Sequence, residues 1–287
     1  MAAAYGVALE LARDPDGLDR ACDLLSGARP TAVNLTHAVQ RVRDAALRAP
    51  AGPERAAAAL REARALEAEE EAASGAIARH GADLLAGARR ILTHCNTGAL
   101  AAPGRGTALG VIAELADRGG VDLVLACETR PLLQGARLTV YELRRLGIEH
   151  VLVVDGAAAG LMAGGEVDAV IVGCDRVAAN GDVANKVGTY AHALGAAAAG
   201  IPFVVAGPCT TIDPRCATGA GITIEERDAD EVRTVGGPGA HLLTLAGTPC
   251  RNPAFDVTPA ALITALVTER GVAQPVTQES VSALTAA

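Results

Sequence analysis

Along the first third of the chain, apolar residues recur at three- and four-residue spacing through stretches 2–13, 18–25, 32–47 and 54–85. That spacing gathers them on one face of an α-helix, so residues 1–88 are expected to form a small N-terminal helical domain. From residue 90 the period changes. Short runs rich in Val, Ile and Leu at 91–94, 123–126, 150–154, 169–172 and 203–206 alternate with helical stretches at 107–117, 133–146 and 183–199. Such alternation predicts βαβ units, hence a Rossmann-like domain over 89–271 with a mainly parallel sheet and helices on both faces. A last helix is expected at 260–270, and the polar stretch 272–287 is expected to be a flexible tail. The fold class is therefore α/β.

Composition adds limits to this picture. A chain of 287 residues, half of them apolar, can bury a large core. The net charge of -8 argues against a broad nucleic-acid surface. It leaves room for a small anionic ligand held by local arginines and backbone N–H groups. The seven cysteines show no C-x-x-C pair and no Cys/His ligand spacing, so neither a disulfide framework nor a metal site is expected. No apolar run reaches the length of a membrane span and no signal-peptide pattern opens the chain, which points to the cytoplasm.

Candidate chemistry gathers where the predicted strands end. "VIVGCDRVAANGD" runs from a buried strand into polar turn residues and delivers Asp175 there. In a doubly wound sheet that position opens into the ligand crevice, although an aspartate before a turn also suits capping. "ILTHCNTGALAAPGRGTALG" places Cys95 at the end of the first strand. It is either a small buried hydrophobe or a reactive thiol, and His94 should point the opposite way. The glycines after it read G-x-G-x-x-x-G, which departs from the dinucleotide fingerprint. In "ETRPLLQGARLT", Arg130 and Gln134 either face the crevice and bind substrate oxygens, or an Arg–Glu pair fixes the loop and Gln134 lies on the surface. In "GCDRVAANGDVANKVGTYAHA", Asp182, Asn185 and Lys186 are expected around the start of the helix over 183–199, facing the crevice.

These stretches, with "IPFVVAGP", "IEERD" and "NPAFDVTPAALITALVTERG", resemble the methylthioribose-1-phosphate isomerase family, in order and at sensible spacing. Its superfamily includes ribose-1,5-bisphosphate isomerase and regulatory subunits of a translation initiation factor's exchange factor. The resemblance implies an aldose-ketose isomerase of methionine salvage that works as a homodimer, with no cofactor and no metal. Its partner would be a small phosphorylated sugar, with no role for nucleic acid or membrane. It further implies that Cys95 and Asp175 are the catalytic pair, and that Arg29 of "ARPTAVNL", Gln134, Asn185 and Lys186 contact substrate or phosphate. Two alternatives are a sister isomerase acting on 5-deoxyribose 1-phosphate or ribose 1,5-bisphosphate, and a non-enzymatic regulatory subunit. In one respect the chain departs from the pattern. Family members carry an "RGAPAIG"-like phosphate loop before "AAAYGVAL", whereas this chain opens "MAAAYGVALE", so a start placed too far downstream is expected.

Overall fold

The computed structural model describes residues 1–28, 33–236 and 240–286, and everything below concerns those residues. Helices α1 (Ala2–Arg13), α2 (Leu18–Ser26), α3 (Val33–Leu47) and α4 (Pro53–Leu84) form the N-terminal bundle. Proline at the first position of α4 suits a site where an N–H would lack an intrahelical acceptor anyway. Helix α4 joins two cores. Its Ala59, Ala63 and Leu66 pack in the bundle with Val7, Leu11 and Val42, while its Ile77 and Ala82 pack against the central sheet.

The second part is built from β1 (Arg90–Thr93), α5 (Ala108–Asp117), β2 (Leu123–Cys127), α6 (Val140–Leu146), β3 (His150–Val153), α7 (Ala158–Ala163) and β4 (Ala169–Val172). There follow β5 (Arg176–Ala178), β6 (Val183–Lys186), α8 (Thr189–Ala199), β7 (Phe203–Ala206), β8 (Ile212–Asp213), α9 (Asp230–Arg233), β9 (Thr234–Val235) and β10 (His241–Leu242). The chain ends with β11 (Phe255–Thr258), β12 (Ala265–Thr268), β13 (Gly271–Ala273) and α10 (Gln278–Thr285). The large sheet has the order β13-β12-β7-β4-β1-β2-β3, parallel except where β13 pairs with β12. This is the doubly wound arrangement expected from the strand and helix alternation, and its order reverses between β1 and β4. Strands β4 and β7 are wholly apolar, and β1 is so at Ile91 and Leu92, because both faces of the sheet are covered there.

Three expectations need correction. The helix over 183–199 begins only at Thr189, because residues 183–186 form β6 in a second sheet ordered β11-β6-β5-β8. Gly188, with φ +104°, turns the chain from that strand into α8. The helix expected at 260–270 is a single 3-10 turn, Ala260–Leu262, followed by β12 beside β7. A short apolar run such as "ALVT" does not distinguish strand from helix by period alone, and here the parallel pairing with β7 decides. Where a flexible tail is expected, β13 and α10 stand, with Val281 and Leu284 buried against the sheet. Thr277 and Ser280 cap α10 reciprocally.

Candidate active site

The switch point of the large sheet lies between β1 and β4, and the loops leaving these two strands carry Cys95 and Asp175. Both residues are half-buried and line one cavity of about 450 Å³. Its wall also includes Gln134, Asn185 and Lys186, so the structure brings together five of the six residues singled out from the sequence. Arg29, the sixth, lies outside the described residues.

Small residues let the two loops approach each other. A side chain at Gly173 would run into Thr97, and one at Gly106 would collide with the Thr97 carbonyl. Gly106 also has φ +80°, a left-handed backbone in which glycine carries no steric penalty. The β1 loop is then fastened by the Thr107 N–H, which donates to the Thr97 carbonyl at 2.8 Å. Asp175 is held from the other side, its N–H donating to the Ala184 carbonyl of β6 at 3.0 Å.

Cys95 itself has φ +64°, unusual for a residue with a Cβ. Its N–H donates to Thr129 Oγ1 at 2.8 Å and its carbonyl accepts from Thr139 Oγ1 at 2.6 Å. Thr129 and Leu133 share the left-handed conformation, at φ 68° and 57°. Such clusters of strained backbone mark functional segments more often than ordinary loops. After Leu133 the chain makes a π-helical turn, Gly135–Thr139, before α6. Gly135 permits that turn, since a Cβ there would collide with the Cys127 carbonyl. The turn leads from Gln134 on the cavity wall to Thr139 beneath Cys95.

Asn185 and Lys186 reach the cavity from β6, where they pair with Asp256 and Phe255 of β11. Asn185 Nδ2 donates to Thr189 Oγ1 at 2.9 Å. Lys186 Nζ donates to the Ala254 carbonyl at 2.8 Å and stands 4.6 Å from the centre of the Phe255 ring. Burial pushes the Asp256 carboxyl up to about 6, against the opposing pull of the Gly188 and Tyr190 N–H groups that it accepts from. Arg130, offered from sequence as a crevice residue, instead donates to the carbonyls of Pro131, Val232 and Thr234. It fixes the 232–234 segment and takes no part in the main cavity wall.

His94 does not line the cavity that Cys95 lines, and its ring is packed instead against Val187 and His192. It is 1% exposed, with Nε2 2.8 Å from the Val187 carbonyl and Nδ1 3.1 Å from His192 Nε2. A carbonyl only accepts, so His94 carries its proton on Nε2 and its Nδ1 accepts from His192. Burial lowers the proton affinity of both imidazoles, His192 to about 3, with the neighbouring His94 adding to the effect there. Burial also pushes the thiols of Cys127 and Cys174 up to about 12, which keeps both protonated at neutral pH.

Sequence reasoning missed Thr129, Thr139, Asn96 and Glu142. Glu142 is buried and accepts from Asn96 Nδ2 at 2.9 Å and from the Ala99 N–H at 2.7 Å, so it anchors the loop after Cys95. Its spacing from Gln134 in "QGARLTVYE" reads as an ordinary helix face, and only the fold shows that this face meets the β1 loop.

The family model described as "Initiation factor 2 subunit family" matches residues 8–275. A protein of Anaeromyxobacter sp. (strain K) named methylthioribose-1-phosphate isomerase is 54% identical over 274 residues, covering 95% of this chain and 78% of that protein. One of the same name from Syntrophotalea carbinolica is 52% identical over 283 residues, covering 95% and 81%. Among solved structures, the 5-methylthioribose 1-phosphate isomerase of Pyrococcus horikoshii OT3 superposes with a TM-score of 0.88 at 39% identity, covering 99% of this chain and 81% of that one. The delta subunit of translation initiation factor eIF-2B from A. fulgidus gives 0.84 at 40% identity, covering 99% and 85%. The chain belongs to the initiation factor 2 subunit family, alongside its methylthioribose-1-phosphate isomerases.

Proposed function

We propose that this chain converts 5-methylthioribose 1-phosphate to 5-methylthioribulose 1-phosphate, with Cys95 and Asp175 as the catalytic pair. The observation that carries this reading is their convergence at the switch point, on one cavity wall with Gln134, Asn185 and Lys186. Because the anomeric oxygen bears the phosphate, the sugar ring does not open through a free hemiacetal. Asp175 protonates the ring oxygen as the C1–O bond breaks, hydrogen moves from C2 to C1, and the proton leaving O2 returns to the Asp175 carboxylate. Cys95 faces the C1–C2 bond. It either relays a proton through an enolate or walls off water for a direct hydride shift. Retention of a C2 deuterium at C1 of the product marks the second route, and wash-out into solvent the first.

Lys186 and Arg29 serve the phosphate, while Gln134 and Asn185 serve hydroxyl groups. Leu100, Ala101, Leu132, Leu138 and Phe255 give the cavity apolar walls that suit a thioether. A second phosphate is served less well. Among the described lining residues the cations are Lys186 and Arg227, and Arg227 is already paired with Glu225 and Glu231. This favours the thioether substrate over ribose 1,5-bisphosphate. The decisive experiment incubates the protein with synthetic 5-methylthioribose 1-phosphate and follows the ketose by NMR. No product with that substrate, together with turnover of ribose 1,5-bisphosphate, replaces the proposal with its sister reaction.

A homodimer and a place in the cytoplasm belong to the same proposal. Val151, Leu152 and Val154 are exposed on and beside the edge strand β3, which supports a face covered by a second copy. Among the described residues no helix is long and apolar enough to cross a membrane. Light scattering that finds only a 28.9 kDa species at micromolar concentration removes the dimer from the proposal.

A further inference from the structure

Cys95 combines an unfavourable backbone with an unusual pair of hydrogen bonds. At φ +64° its Cβ is crowded by its own peptide, so the conformation needs support from outside the loop. Both of its backbone polar groups are taken by side-chain hydroxyls from the segment 129–139: its N–H by Thr129, its carbonyl by Thr139. These two threonines are 0% and 2% exposed, so water does not stand in for either hydroxyl.

Each hydroxyl is in turn oriented. Thr129 Oγ1 donates to the Cys127 carbonyl at 3.0 Å, which leaves its lone pair for the Cys95 N–H. The Thr129 N–H and the neighbouring Arg130 N–H donate to Asp155 at 2.8 and 2.7 Å, holding Thr129 at φ 68°. Thr139 Oγ1 spends its proton on the Cys95 carbonyl and accepts from Asn96 Nδ2 at 3.2 Å. Glu142, an acceptor, holds that same amide nitrogen and so determines which way the Asn96 amide faces. The peptide planes on either side of Cys95 are thus gripped from the loop after β2 on one side and from the π-helical turn on the other.

We infer that Thr129 and Thr139 are positioning residues that clamp the backbone of Cys95 and so aim its thiol into the cavity. This inference rests on Cys95 acting in the proposed isomerisation. A thiol displaced by an ångström is out of register with the C1–C2 bond, and misplacement on that scale costs about 100-fold in rate.

The test uses the full chain with four substitutions: Thr129→Val, Thr139→Val, Thr129→Ser and Thr139→Ser. Valine keeps the shape and removes the hydroxyl, whereas serine keeps the hydroxyl. With 5-methylthioribose 1-phosphate, each valine variant is expected to lose about 100-fold in kcat with KM within about threefold, and each serine variant to stay within about fivefold of the parent. In parallel, iodoacetamide alkylation of Cys95, read on its peptide by mass spectrometry across pH, reports the thiol in the folded protein without any substrate. The profile should be displaced in the valine variants and restored in the serine variants. Parent-like kcat in both valine variants overturns the clamp. So does serine failing as badly as valine, which assigns the effect to packing of the methyl group, or a kcat loss matched by lost folded protein with an unmoved alkylation profile. If the parent protein turns over no methylthioribose phosphate, the proposed function falls. The alkylation profiles still decide the clamp: displaced in the valine variants they support it, and unmoved they overturn it.

Discussion

The two sheets of the second part serve the same cavity by different physical routes. The large sheet delivers Cys95 and Asp175 from the ends of parallel strands, where loops converge because the strand order reverses. The small sheet delivers Asn185 and Lys186 from the C-terminal half of strand β6, which is held by an antiparallel ladder with β11. Loops can carry a strained residue such as Cys95, because buried hydroxyls hold it. A ladder gives regular, unstrained placement, suited to groups that bind rather than react. On the proposed reading, reaction chemistry therefore belongs to the large sheet and substrate anchoring to the small one.

The largest expected effects test the first half of that division. Cys95→Ser and Asp175→Asn are nearly isosteric, and each should lower kcat by about 10²–10⁴ while leaving KM and folding close to the parent. Cys174→Ala, next to Asp175 and bonded to Thr211, is the control and should affect turnover only mildly. A severe loss in the control, or parent-like kcat in either of the first two, breaks the assignment of chemistry to the large sheet.

Next comes the small sheet. Lys186→Met removes one charged hydrogen-bonding group and should raise KM by roughly one to two decades, from about 1.5–3 kcal/mol of lost anchoring, with kcat little changed. If kcat falls instead and KM stays, Lys186 acts on the reaction itself and the two sheets share the chemistry.

Two buried groups, one packed beside each sheet, should also respond to acid with opposite signs. His192 of α8, packed on His94 just after β1, takes up its second, charging proton in the native state only at about pH 3, whereas the unfolded chain does so near 6.5. The unfolded state therefore binds more protons across that window, and stability falls as pH drops below 6.5, by on the order of 3 kcal/mol at pH 4. Asp256 of β11 behaves oppositely. Its native affinity near 6 exceeds the unfolded value near 3.8, so its contribution is present below 3.8 and is lost as pH rises to 6, also on the order of 3 kcal/mol. Urea midpoints across pH 4–7 should become less acid-sensitive in His192→Leu and more acid-sensitive in Asp256→Asn. Parallel curves for all three proteins would mean that neither group titrates as its burial implies.

Much of the large sheet was legible in the sequence. The apolar runs at 91–94, 123–126, 150–154, 169–172 and 203–206 match β1, β2, β3, β4 and β7 to within a residue or so, because the inner strands of a parallel sheet are covered on both faces and their runs are short and apolar. Cys95 and Asp175 stood out as candidates near the ends of such runs, and the family resemblance is what paired them. Strand β6 was misread as the beginning of α8. "VANK" has no pronounced alternation, and the partner that makes it a strand stands some seventy residues later at β11.

What the sequence alone determined is therefore whatever depends on neighbours along the chain: helix faces, buried strands, and the residues at their ends. The tertiary structure decided the rest. It set the strand order whose reversal puts the β1 and β4 loops side by side, and the cross-chain ladder that turns 183–186 into a strand. It also placed the threonines that grip Cys95 from 34 and 44 positions away. The division has a physical cause. Periodicity records how each segment meets the core, whereas a ladder or a buried hydroxyl bond records which distant segment it meets there, and that information is held by the two partners jointly.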